Sequence, residues 1–261
     1  MKAISTVLVP FDFSDVASNA LNYAIRFLEN DPQVKIILAH VEDGAANQEK
    51  LPELKKIIQT YSRKIRNEII PVITKGRINE SLLEIQRTTS VDLVIMGTCP
   101  LKDHCFLQTK TSEFVLAAKC PVLVIPKGYH EFHLERISLV IGKDEIHNYK
   151  LLGVLLDVAR RFNAHVDVIT VKNDEGNYGY TPTDEKNENN IEYYLENFYS
   201  HHSFIEDPDI LHGIFNYVDK NKVDLIAMLP RNHAEGPVHS EGKLTRELSQ
   251  TTEVPLLAID F

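Results

Sequence analysis

The groups in this sequence able to do chemistry are few and scattered. Asp12 closes a short apolar run, Thr6-Val7-Leu8-Val9-Pro10-Phe11. It therefore places a carboxylate at the carboxyl end of an expected strand, where α/β proteins hold ligands. The same carboxylate would serve equally to cap the helix that follows. Cys99, Cys105 and the adjacent His104 form a second group. A thiol beside a protonated imidazole or a helix N-terminus ionises readily and senses oxidants. The spacing is not Cys-x-x-Cys and no second pair completes a zinc site, so incidental loop thiols are the competing reading. Cys120, before Pro121 and an apolar run, reads as a small buried residue. The pairs His130/His133 and His201/His202 could attract a metal ion. Adjacent histidines on a strand, however, point to opposite faces. Nothing resembles a Walker loop, a nucleophile elbow or a His-Glu-x-x-His helix.

The elements that must position these groups are easier to read. Val34 to Val41, Leu93 to Met96 and Val122 to Ile125 repeat the continuous apolar character of the first run. Such runs suit strands buried on both faces. Helical patterns separate them. Ser14 is a plausible N-cap, Asp15 an acid in the first turn, and Val16, Ala20, Ala24 and Phe27 fall on one face. Leu51, Leu54, Ile58, Tyr61 and Ile65 predict a second helix, with Pro52 near its start, and Leu82 and Ile85 a shorter third. Strands alternating with helices predict a parallel α/β sheet covered on both faces.

The second half repeats the first. Leu139-Val140-Ile141-Gly142-Lys143-Asp144 matches Val7 to Asp12, and Val223 to Met228 matches Val91 to Met96, both at an offset of 132. Pro255 to Ile259 matches Pro121 to Ile125 at an offset of 134. We expect two copies of one domain, residues 1–128 and 134–261, joined where periodicity lapses at Lys127 to His133. Asn173 to Asn190, rich in Asn, Gly, Asp and Glu, is expected to be a mobile excursion.

Composition sets the outer limits. The 261 residues are 43% hydrophobic and 25% charged, as in ordinary globular chains. Lys and Arg number 28 against 37 Asp and Glu, for a formal charge of −9. That balance argues against broad nucleic-acid binding, a local basic patch aside. No apolar run is long enough to span a membrane, and no signal-peptide layout opens the chain. Three cysteines without disulfide spacing point to a reducing, cytoplasmic setting.

Four segments in order resemble the universal stress protein family: Val7-Leu8-Val9-Pro10-Phe11-Asp12-Phe13-Ser14, Ala39-His40-Val41, Asp92-Leu93-Val94-Ile95-Met96-Gly97-Thr98, and Cys120-Pro121-Val122-Leu123-Val124-Ile125-Pro126. The first half resembles the family along its length, the second more weakly. The resemblance implies an α/β fold of two doubly wound domains, each with a five-stranded parallel sheet of order 3-2-1-4-5 covered by helices. It further implies that the domains pair through their last strands.

One branch of that family binds ATP with a loop reading Gly, two residues, Gly, nine residues, Gly, then Ser or Thr. Glycines let the backbone approach phosphates, and the next helix supplies N–H donors. The resemblance places this pattern on Gly97, Pro100, Lys110 and Thr111, so the first glycine and the hydroxyl are kept and two glycines are replaced. Pro100 removes a donor and Lys110 restricts the turn. The same mapping sets Asp12 against adenine and Val41 along the pocket wall. The implied first-domain site is thus Asp12, Val41, Gly97, Lys110 and Thr111. In the second domain Asp144 takes the strand-end carboxylate, and the loop positions fall on Leu229, Asn232, Gly242 and Lys243. Arg231, His233 and Lys243 there would either grip an anion or simply be solvated.

The resulting expectation is a stress-response or regulatory binding module, not an enzyme, with a degraded ATP loop in both domains and action through its surface. No cofactor is assigned, ATP or another adenine nucleotide being the candidate ligand. Two alternatives stand beside it: a weakly ATP-hydrolysing switch in the first domain, and a thiol or metal sensor at Cys99, His104 and Cys105. Expected partners are the other half of the same chain and an unidentified protein, with a homodimer left open, and neither nucleic acid nor membrane.

Overall fold

The computed structural model describes residues 4–42, 50–99, 107–142, 144–146, 148–172, 180–230 and 242–259. In the first half β1 (Thr6–Pro10) leads to α1 (Asp15–Leu28), β2 (Lys35–Glu42), α2 (Lys50–Ser62), β3 (Ile69–Lys75), α3 (Ile78–Thr88), β4 (Leu93–Thr98), α4 (Leu107–Ala117) and β5 (Val122–Pro126). The second half repeats the order with β6 (Arg136–Val140), α5 (Leu152–Phe162), β7 (His165–Lys172), α6 (Pro182–Leu195), β8 (Tyr199–Glu206), α7 (Ile210–Asn221), β9 (Leu225–Met228), α8 (Lys243–Thr251) and β10 (Leu256–Ala258). Local chemistry accounts for the first helix: the Ser14 hydroxyl accepts from the Ala17 N–H, Asp15 opens the turn, and Val16, Ala20, Ala24 and Phe27 are buried.

The strands form one ten-stranded sheet in the order β3-β2-β1-β4-β5-β10-β9-β6-β7-β8. Each half is parallel with the expected 3-2-1-4-5 order. The halves join where β5 and β10 run antiparallel, Val124 opposite Leu256 and Leu123 opposite Leu257. Each of these strands thereby covers the other's open edge. Two cores flank the sheet. Helices α1, α2, α5 and α6 bury Leu21, Leu54, Leu155 and Ile191 on one face, and α3, α4, α7 and α8 bury Leu82, Phe114, Ile214 and Leu248 on the other. No helix among the described residues is long and apolar enough to cross a membrane.

The repeated Asp92 and Asp224 have a shared structural task. One oxygen of Asp92 accepts the Ser5 and Thr6 N–H groups at 2.9 and 3.0 Å, and one of Asp224 accepts those of Glu135 and Arg136 at 2.8 and 2.9 Å. These bonds make Thr6 the counterpart of Arg136, an offset of 130. The bonds from Phe11 N–H to Ala39 and from Ile141 N–H to Ile169 agree. The 132-residue match of the first strands is therefore two residues out of register. Gly142, not Asp144, stands where Asp12 stands. Apolar matching alone tolerates a slip of two, because it keeps the same side chains on the same face.

One further expectation is corrected. The segment Asn173 to Asn190 is not one irregular excursion: residues 173–179 lie outside the described residues, but α6 begins at Pro182. Thr181 and Asp184 form a reciprocal capping box, and Asn187, Ile191 and Leu195 are buried. The cap and a single apolar seam hold a helix whose composition reads as loop. The joint, in turn, is packed. Phe132 lies 4.9 Å from Tyr23 and 5.2 Å from Phe162, ring centre to ring centre, and Asn19 Nδ2 donates to the Pro126 and Tyr129 carbonyls.

The histidine pairs do not converge. His130 meets Asn19 and His133 meets Asp224, while His201 meets Asp167 and His202 meets Thr170. The Asp224 carboxylate, 2.8 Å from His133 Nδ1, raises the His133 pKa above 6.5, with Glu135 adding to it. A raised folded-state pKa contributes stability that is complete below the unfolded value and lost as pH climbs through the folded one. The side chain is 57% exposed, which keeps that contribution small. An NMR pH titration should show His133 protonating above the ordinary range, and Asp224→Asn should return it there; an unchanged midpoint in the variant would refute the assignment.

Candidate functional site

A small cleft, partly open to solvent, lies at the carboxyl ends of β1, β2 and β4. The start of α3 and the described part of α4 close its sides. All five sequence candidates, Asp12, Val41, Gly97, Lys110 and Thr111, line it. Sequence reasoning missed Ile78 and Asn79 of α3, which complete the wall. Neither belongs to a motif, and only the turn of the chain after β3 brings them there.

Each residue has a local occupation. Asp12 is exposed, and its Oδ1 accepts from the Ser14 N–H at 3.0 Å and the Ser14 hydroxyl at 2.5 Å. It thus shapes the turn that presents Ser14, and Ser14, not Asp12, caps α1. Gly97 is buried against α1. A Cβ there would sit 2.5 Å from Val16 Cγ1 and 2.8 Å from the Val16 carbonyl oxygen. Thr111 is buried, and its hydroxyl donates to the Gly97 carbonyl at 3.0 Å. Lys110 is exposed, and its carbonyl accepts from Asn79 Nδ2 at 3.2 Å. Apolar surface from Ala39, Val41, Ile78 and Met96 forms the rest. Among the described residues the arrangement is an apolar slot with one carboxylate, Asp12, and one ammonium, Lys110, in its lining, and no His, Cys or Glu.

The second half grips the first close to this cleft. Thr98, next to Gly97, donates its hydroxyl to the Ser249 carbonyl at 3.2 Å. Gln250 donates to the hydroxyl of Ser112, next to Thr111, at 3.0 Å. Gly242 serves the same interface: its φ is +64°, and a Cβ would meet Leu116 Cδ2 at 2.4 Å. The one glycine kept in the second loop therefore suits the left-handed backbone that opens α8 beside Leu116 of α4.

The corresponding region of the second half is built differently. Gly142 offers no carboxylate, Leu229 replaces Gly97, and Lys243 lies on the surface 3.9 Å from Glu247. The Asp144 carbonyl accepts from Asn187 Nδ2 at 3.0 Å, which ties it to α6. Arg231, Asn232 and His233 lie outside the described residues, as do Pro100, His104 and Cys105. Cys99 and Cys120 are buried, neither in a disulfide, and burial pushes the Cys120 thiol up to about 12. No group of three metal-binding side chains occurs among the described residues.

The sequence profile of the universal stress protein family matches residues 3–126. Residues 3–126 are thus a universal stress protein domain. Over its whole length it is similar in structure to a universal stress protein from Archaeoglobus fulgidus DSM 4304, with 14% identity, TM-score 0.67 and coverage of 98% of this chain and 96% of that one. A functionally unknown protein from Pseudomonas aeruginosa PAO1 gives 15% identity and 0.65, covering 99% and 93%. The cytoplasmic domain of a prokaryotic cation chloride cotransporter gives 13% and 0.55, covering 98% and 95%. At these identities the likeness is one of fold, and the tandem universal stress protein architecture is shared across the full chain. No curated protein matches the sequence.

Proposed function

We propose that this chain is a cytoplasmic, non-catalytic regulatory module of the universal stress protein type, in which the ATP loop has lost its grip on the triphosphate in both halves. One observation carries the reading: the two residues kept from the ATP pattern are occupied by each other and by α1. The Thr111 hydroxyl donates to the Gly97 carbonyl, and the space above Gly97 is filled by Val16. Neither is then free to serve a phosphate, and Pro100 and Lys110 stand where further glycines would supply backbone approach. Regulation would be exerted through the surface on a partner protein.

The rival reading is an adenine-nucleotide switch, and it rests on the cleft itself, since all five candidate residues meet there. Calorimetric titration with ATP and magnesium separates the two. The expected dissociation constant is weaker than about 1 mM. Pro100→Gly combined with Lys110→Gly should strengthen binding at least about tenfold. Micromolar binding by the native chain, unchanged by the repair, would establish the switch instead.

A further inference from the structure

The chain is electrically lopsided. Residues 1–128 carry 16 Lys and Arg against 14 Asp and Glu, a net +2, whereas residues 129–261 carry 12 against 23, a net −11. Ten strands at about 4.8 Å spacing set the two outer ends roughly 40 Å apart. That is several times the Debye length of about 8 Å at physiological salt, so the acidic half does not neutralise the other end.

At the far end of the first half the positive charge is concentrated. Lys55, Lys56, Arg63, Lys64 and Arg66, on α2 and the turn after it, are all exposed, and none has an ion pair among the described residues. Lys64 lies 5.4 Å over the Tyr61 ring, but five cations without ion pairs in twelve residues still repel one another. The pseudo-twofold counterpart of α2 is α6, on the same face of the sheet at its opposite end. There Glu185 and Glu192 are exposed, again without ion pairs among the described residues.

A second, independent observation marks the same two helices. Three large apolar side chains are exposed among the described residues: Leu51 at 38%, Tyr180 at 54% and Tyr193 at 78%. Leu51 is on α2, Tyr193 on α6, and Tyr180 two residues before α6. Unpaired charge and exposed apolar surface therefore coincide on one face, at two positions related by the internal dyad.

We propose that this face binds a second copy of the chain. Two copies set face to face about an in-plane dyad bring α2 of each onto α6 of the other, so both contacts form together and the assembly closes as a dimer. The basic residues meet Glu185 and Glu192, and Tyr193 offers its ring to Arg63 or Arg66 in the turn after α2 of the second copy. A polyanion is the poorer occupant, because the rest of the chain carries a net charge of −14 once the five cations are set aside.

Sedimentation of the full chain at about 25 mM and about 500 mM salt tests this directly, the dimer weakening at least about tenfold at high salt. Lys56→Glu with Arg63→Glu and Arg66→Glu should give a monomer, as should Glu185→Lys with Glu192→Lys. Mixing the two variants should restore a heterodimer, because both contacts regain opposite charges, and this rescue also shows that each variant is folded. A monomeric wild type at low salt, a dimer indifferent to salt, or failure of the rescue would overturn the proposal. So would a monomer whose patch instead retains anionic vesicles or heparin, which would assign the surface to a polyanion.

Discussion

Gly97→Ala is expected to destabilise the protein by about 3 kcal/mol, the upper part of the range for overpacking a close contact. The added methyl would lie 2.5 Å from a side-chain carbon of Val16 and 2.8 Å from its carbonyl oxygen. A side chain can rotate away, but the carbonyl moves only with the first turn of α1. That turn is held by the Ser14 cap and by burial of Val16, Ala17 and Ala20. Thermal denaturation should show a melting temperature lower by roughly 6–12 °C. The loss should appear with no nucleotide in the buffer. A variant as stable as the native chain would mean that Gly97 is present for a ligand and not for helix packing.

Phe27→Ala should cost more, about 4 kcal/mol, as full truncation of a buried aromatic does. Phe27 is 2% exposed and packs 5.2 Å from Phe162, centre to centre, beneath the Arg161 guanidinium. Arg161 also pairs with Asp31 at 2.5 Å and donates to the Phe27 carbonyl at 3.4 Å. One ring thus organises contact between α1 of the first half and α5 of the second. Chemical denaturation should reveal the loss as a lower midpoint, and calorimetry should show the native single transition splitting toward two. A loss below about 1 kcal/mol would mean that the interface closes over the gap.

The interior strands were legible because burial on both faces leaves no alternation, and β1, β2, β4 and β5 announce themselves as continuous apolar runs. The edge strands were not. In β3 most residues are only half-buried and Pro71 interrupts the run, and β8 reads Tyr-Ser-His-His-Ser-Phe-Ile-Glu with a register shift beside β7. Strands at an edge need little apolar surface, so they came from the family resemblance and not from the residues. The helix α6 failed for a related reason: its burial rests on a single narrow seam and its cap, and composition across the segment hides both.

The candidate site was half legible. Asp12, Val41, Gly97, Lys110 and Thr111 were found by motif, and the fold brings them to one cleft. Their occupations were not legible, because the hydrogen bond from Thr111 to Gly97 and the contact of Gly97 with Val16 join segments far apart in the chain. By itself the sequence determined the alternation of strand and helix, the duplication and the family of the first half, since these are written in period and order. Only the tertiary structure decided that Gly142 and not Asp144 answers Asp12, that Gly97 serves the packing of α1 and that Gly242 serves a left-handed turn. It also decided that the cations of α2 and the carboxylates of α6 share one face, because register, close approach and surface placement are set by neighbours distant in the chain.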